Sequence, residues 1–156
     1  MSHNVPEYKK IDGSKLKIAI AVSRWNGEIT EGLLIGALQA LSECKVKEKN
    51  IKVVDVTGAY ELPFAAKLFV KSKKKYDAVL ALGCLIKGET KHDEYIASAV
   101  SQNLMNLNIM QDIPIVFGVL TCNNLKQAQE RSRGDFNQGY GWAYTAVEMA
   151  LLKKRI

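Results

Sequence analysis

Cysteine is scarce: Cys44, Cys84 and Cys122 are widely spaced and form no CxxC pair. Three isolated thiols argue against a disulfide framework and against a zinc site, and read as reduced, partly buried side chains. Long hydrophobic runs are also missing. None approaches the roughly 18 residues that crossing a bilayer takes, so no membrane partner is expected. The opening residues, 1–15, are polar, carry Pro6 and Gly13, and lack the apolar centre of a signal peptide. A cytoplasmic protein is expected. Histidine is rarer still, with His3 in the polar leader and His92 as the second. His3 reads as an ordinary surface residue. No linker, repeat or low-complexity stretch divides the chain.

What remains is an ordinary globular composition, 47% hydrophobic and 24% charged over 156 residues, enough for one domain with a real core. The net charge is +6, with the excess in two short runs, Lys71 to Lys75 and Lys153 to Arg155. Both fall at predicted helix C-termini, where cations complement the helix dipole. Neither interleaves aromatics and no nucleic-acid motif accompanies them, so no nucleic-acid partner is expected. The same field would draw an anionic substrate.

Strand-like apolar runs alternate with helical stripes along the chain. Strands are predicted at Lys17 to Val22, Ile51 to Val56, Asp77 to Leu82 and Ile115 to Leu120. Helices are predicted over Thr30 to Cys44, with Leu34, Ala37, Leu38 and Leu41 on one face, and over Tyr60 to Val70, entered through Pro63. Further helices follow at Asp93 to Leu107, Leu125 to Arg131 and Gln138 to Lys154, the first carrying Ile96, Val100, Leu104 and Leu107 inward. Strands alternating with helices imply right-handed crossovers and a parallel sheet. The expected fold class is α/β, a three-layer α/β/α sandwich with a four-stranded parallel sheet, flavodoxin-like. The fourth strand is nearly all apolar, as a sheet covered on both faces demands.

In such sheets ligands bind beyond the carboxyl ends of the strands, and the segments there are unusual for plain connectors. After strand three, Gly83 through Asp93 contains Thr90 three residues ahead of Asp93, a capping-box pattern that starts the third helix at Thr90. Gly88 allows close backbone approach, and the free N–H groups of a helix start attract anions. His92 then sits in the first turn, where an imidazole can exchange protons near neutrality or can be an ordinary surface residue. Arg131, ending the short helix after strand four, either recognises phosphate bidentately or answers the helix dipole. After strand one, Trp25 can stack on a planar heterocycle or cover the core edge, and Asn26 can bond a ring edge or serve an Asn-Gly turn. After strand two, Glu61 can accept hydroxyl hydrogen bonds or act as a first-turn acid. All these groups fall on one rim of one sheet, which favours the functional reading.

At this point the sequence resembles the lumazine synthase family, from strand one almost to the C-terminus. Five blocks match its pattern in order and spacing: Ser23 to Asn26, Gly58 to Pro63, Gly83 to His92, Phe117 to Thr121, and Gln127 to Arg131. A sixth runs through Asn137-Gln138-Gly139 and Ala146 to Met149. Any one block is weak, whereas the ordered set is specific. The resemblance implies a transferase of riboflavin biosynthesis with two small-molecule substrates, no cofactor and no metal. It implies that Trp25 stacks on the pyrimidine with Asn26 beside it, and that Ala59, Tyr60 and Glu61 hold the ribityl chain. Cys84, Leu85 and Ile86 would line the ring pocket, Glu89 and Thr90 would flank the ketose phosphate, and Arg131 would be its counter-charge. His92 would be the catalytic proton donor. Phe117 would cover the heterocycle from a neighbouring subunit, since family sites form between subunits of a pentameric ring. Residues 1–16 would then be an N-terminal extension packing on that neighbour, and 17–156 the single domain.

Two positions depart from the family pattern. Glu89 brings a carboxylate beside the implied phosphate, and Gln138 stands where the family commonly has a lysine. Alternative readings are an archaeal-type riboflavin synthase, similar in fold but dismutating lumazine, and a non-catalytic flavodoxin-like binding module. A receiver module would need acidic residues after strand one, where Ser23 and Arg24 stand, and an aspartate at the position of Gly83. A flavodoxin would need a Ser/Thr-rich phosphate loop after strand one.

Overall fold

A computed structural model describes residues 6–156, so His3 and the first five residues of the expected extension lie outside the described residues. Strands and helices alternate as β1 (Ile18–Ser23), α1 (Gly27–Glu43), β2 (Ile51–Val56), α2 (Leu62–Lys71), β3 (Ala78–Ile86), α3 (His92–Met110), β4 (Ile115–Cys122), α4 (Leu125–Arg131) and α5 (Gln138–Arg155). The strands form one wholly parallel sheet in the order β2-β1-β3-β4. Helices α1 and α5 cover one face and α2 and α3 the other. This is the expected three-layer α/β/α sandwich in a flavodoxin-like arrangement.

Side-chain alternation along the central strands builds the two cores. Ile18, Ile20, Val22, Leu80 and Leu82 point toward α1 and α5, where they meet Leu33, Leu41, Ala143 and Val147. Ala19, Ala21, Val79 and Ala81 point the other way, onto Leu62, Ala65, Ala66, Val100 and Leu104. The alanines on this second face let α2 lie close through its own Ala65 and Ala66. Because every residue of β1 is buried, that strand reads as a continuous apolar run from Ile18 to Val22.

Several expectations are corrected. Helix α1 starts at Gly27, and its buried stripe is Ile29, Leu33, Ala37, Ala40 and Leu41, while Leu38 is 37% exposed. The stripe is turned because α5 packs along α1 as well as the sheet below it. Strand β3 runs on through Gly83 to Ile86, since β4 continues beside it with Ile86 opposite Cys122. Helix α3 starts at His92 with Lys91 as its cap, one residue later than a Thr90–Asp93 box requires. The Thr90 hydroxyl accepts the His92 backbone N–H at 3.3 Å instead. Strand β4 is an edge strand, so Phe117 is 37% exposed despite its apolar context. Both lysine runs do sit at helix ends, in the last turn of α5 and just past α2.

The described part of the extension binds the chain's own helices from Tyr8 on. Tyr8 packs against the rings of Tyr140 and Tyr144, at centroid distances of 5.4 and 4.8 Å. Tyr144 Oη donates to the Lys9 carbonyl at 2.7 Å, and Leu16 is buried in the core.

Candidate active site

Strand order reverses between β1 and β3, because β2 lies to one side of β1 and β4 lies beyond β3. Chains leaving the two central strands turn to opposite faces there and open a crevice. A cleft of about 980 Å³ occupies this position, lined by Trp25, Asn26, Ala59, Tyr60, Glu61, Cys84, Leu85, Ile86, Thr90 and His92 among others. The sequence-predicted groups from three separate loops are thus brought together by the sheet.

The Trp25 loop is held by backbone pairing that continues past the end of β1. Arg24 N donates to Val56 O at 2.8 Å, and Trp25 N to Thr57 O at 3.1 Å. The Arg24 guanidinium adds bonds to Asp55 Oδ2 at 2.6 Å and Thr57 Oγ1 at 3.0 Å, and this contact holds the Asp55 carboxyl below its usual range. Trp25 is 69% exposed, so it does not cover the core edge. Its indole lies over Gly58, where an added Cβ would approach Trp25 Cδ1 to 3.1 Å. A side chain at 58 would therefore crowd the ring and the Glu61 carboxylate. Asn26 takes the left-handed conformation (φ 56°) that asparagine tolerates, and its Nδ2 donates to Cys84 O at 3.0 Å. That bond ties the loop after β1 to the end of β3.

Glu61 closes the next turn on itself, its Oε2 accepting the Gly58 N–H at 2.9 Å. Tyr60 projects into solvent beside it, 64% exposed. Across the cleft, Cys84 is 1% exposed, and burial followed by the nearby Cys122 pushes its thiol up to about 12. A thiol held protonated contributes an apolar surface and no nucleophile. His92 is the first residue of α3 with an exposed side chain, and Gly88 beside it has open space where a Cβ would stand. Nothing among the described residues demands glycine there.

Three predicted residues do not line the cleft. Glu89 is exposed outside it, Phe117 stands on β4 at the sheet edge, and Arg131 ends α4, which packs against β3 and β4. Arg131 Nη1 donates to Gln127 O at 3.1 Å and lies 4.0 Å from the Glu130 carboxylate. Gln138 Nε2 donates to Phe136 O at 3.2 Å. Sequence reasoning missed Tyr95, Ile96 and Ala99, which also line the cleft. Their spacing of three, four and seven from His92 puts them on one helical face with it, a signal that was legible.

A family model described as 6,7-dimethyl-8-ribityllumazine synthase matches residues 15–154. The chain belongs to the 6,7-dimethyl-8-ribityllumazine synthase family. It is similar to the synthase of that name from Parabacteroides distasonis, 43% identical over 139 residues that cover 88% of this chain and 86% of that protein. The Kosmotoga olearia synthase is likewise 43% identical, over 145 residues and 92% of each chain. That from Phocaeicola vulgatus is 37% identical over 158 residues, 99% of this chain and 94% of the other. Membership in the lumazine synthase family therefore extends over the cleft, the edge strand and α5 together.

Proposed function

We propose that the chain condenses 5-amino-6-(D-ribitylamino)uracil with 3,4-dihydroxy-2-butanone 4-phosphate, releasing phosphate and water, as a cytoplasmic enzyme of riboflavin biosynthesis. The observation that carries this assignment is the cleft, where an exposed indole, a polar turn and a histidine-bearing helix start converge at the switch point of the sheet. The pyrimidine stacks on Trp25 with Asn26 at its edge, and Cys84, Leu85 and Ile86 lie beneath the ring. The ribityl hydroxyls meet the Ala59–Tyr60 backbone and Glu61. Thr90 and Glu89 flank the ketose phosphate and Arg131 is its counter-charge.

The pyrimidine amine attacks the ketone and water leaves to give an imine; inorganic phosphate is then eliminated, and ring closure with loss of a second water gives the lumazine. Every step moves a proton, the task of His92. Departing phosphate needs charge stabilisation, which Arg131 and the backbone amides ahead of α3 supply. Both reactants are intrinsically reactive, so holding them together is the larger contribution. Mixing the two substrates should yield lumazine absorbance and phosphate in equal amounts, with neither substrate reacting alone. Riboflavin formed from lumazine without the ketose phosphate would support the riboflavin synthase reading instead.

Phe117 on edge strand β4 and Arg131 at the end of α4 do not line the chain's own cleft, which supports a site completed by a neighbouring copy. Exposed apolar side chains on α2 and α3, namely Phe64, Leu68, Tyr95, Ile109 and Met110, support the same reading. The assembly is a homo-oligomer built from pentamers; residues 8–16 of the extension pack on the chain's own helices, so contact of the extension with the neighbour falls to the residues ahead of Tyr8. Native mass spectrometry should find multiples of five subunits, and dissociated subunits should be inactive. A verified monomer with full activity would end this proposal.

Trp25 provides a separate test. Titrating a lumazine or flavin should quench its fluorescence saturably, while Trp142, on α5 and away from the cleft, persists in Trp25→Phe as an unquenched background. Trp25→Phe keeps an aromatic face and should lose at most roughly 1 kcal/mol of stacking. Trp25→Ala should lower ligand affinity more than Tm, since the ring is mostly exposed. The reverse pattern would return Trp25 to the core.

A further inference from the structure

We infer that Asn137 is a positioning residue for Arg131, one amide that ties the end of α4 to α1 and α5 and thereby sets where the guanidinium stands. The inference rests on the reading of Arg131 as the phosphate counter-charge. Asn137 Nδ2 donates to Gly32 O of α1 at 2.8 Å and to Ser132 O at 2.9 Å, the residue after Arg131. Its Oδ1 accepts the Gly139 N–H at 2.9 Å in the first turn of α5. Three helices meet at this single side chain.

The surroundings are shaped to admit it. A Cβ at Gly36 would collide with the Asn137 amide, one at Gly139 with the Leu33 carbonyl, and one at Gly32 would come within 2.5 Å of Ser132 O. Ser132 itself is 1% exposed and caps α4 by donating N–H to Gln129 O at 3.3 Å. An ion pair between Arg133 and Glu28 holds the following residues to the start of α1. Helix α4 has only seven residues, too few to hold its own end rigid. The Arg131 guanidinium folds back onto the carbonyl of Gln127 in that helix, so its position follows the helix end. Sub-ångström placement of a charged group decides how well it meets a phosphate.

Capping α5 needs only the acceptor oxygen of Asn137, whereas tying α1 to α4 needs its two N–H donors. Asn137→Ser separates the two, because serine is a good cap and has no amide donors. In the assembled enzyme, hydrogen–deuterium exchange of amides 129–132 should rise about tenfold in Asn137→Ser, the shift expected from losing one hydrogen bond, with the first turn of α5 still protected. The KM for the ketose phosphate should rise about tenfold, the lower end for a weakened charge-assisted contact, while kcat and the pyrimidine KM stay unchanged. In an Arg131→Ala background the same substitution should add nothing. Asn137→Asp, which also caps but lacks the donors, should loosen the same amides. Unchanged exchange at 129–132, or a KM effect that persists without Arg131, overturns the inference. An Arg131→Ala variant with an unchanged ketose-phosphate KM overturns the phosphate reading, and the exchange data still decide whether Asn137 holds α4.

Discussion

His92→Ala should lower kcat roughly ten- to hundredfold, at or below the foot of the range for general acid–base groups. The substitution removes the imidazole alone. The backbone N–H that bonds Thr90 Oγ1 remains, so the start of α3 and the cleft wall stay in place. Binding of both substrates should therefore be little altered, and the loss should appear in single-turnover rates. The loss stays modest because approximation of two reactive partners survives without the histidine. The comparison should be repeated at several values from about pH 6 to 8. A variant with wild-type rates across that interval removes His92 from the mechanism.

Arg131→Ala should raise the KM for the ketose phosphate one to two decades and leave the pyrimidine KM nearly unchanged. Loss of one charge-assisted contact costs roughly 1.5–3 kcal/mol, which sets that size. Arg131→Lys should fall between, because lysine keeps the charge without the planar fork. The side chain is partly exposed and bonds to its own helix, so truncation leaves no core cavity and Tm should move little. Equal effects on both substrates would mean that Arg131 supports the fold or an interface. Gln138, bonded to Phe136 O, carries no charge to share the task, so dependence on Arg131 should be heavy.

The order of elements and the fold class were legible in the sequence, because short apolar runs alternate with stripes of helical period along the chain. The buried face of α3 was legible for the same reason, with Val100 and Leu104 inward and Ile96 and Leu107 beside them. Residue types at strand ends likewise singled out Trp25, Glu61 and His92, and all three line the one cleft. The turned stripe of α1 was not legible. That helix is apolar on several sides, and the contact with α5 decides which side is inside.

By itself, then, the chain's sequence determined local period, helix ends rich in lysine, and the chemical character of each loop, all of which act over a few residues. Only the tertiary structure decided strand order, and with it which loops share a cleft. Placing β1 and β3 at the centre joined the Trp25, Glu61 and His92 loops, while Phe117 on edge strand β4 and Arg131 at the end of α4 stayed outside their cleft. The length of β3 through Ile86, the Asn26 tie to Cys84 and the three-helix junction at Asn137 were decided there too. Each depends on hydrogen bonding to a residue distant in sequence, Cys122, Cys84 or Gly32, and periodicity carries no information about such a partner.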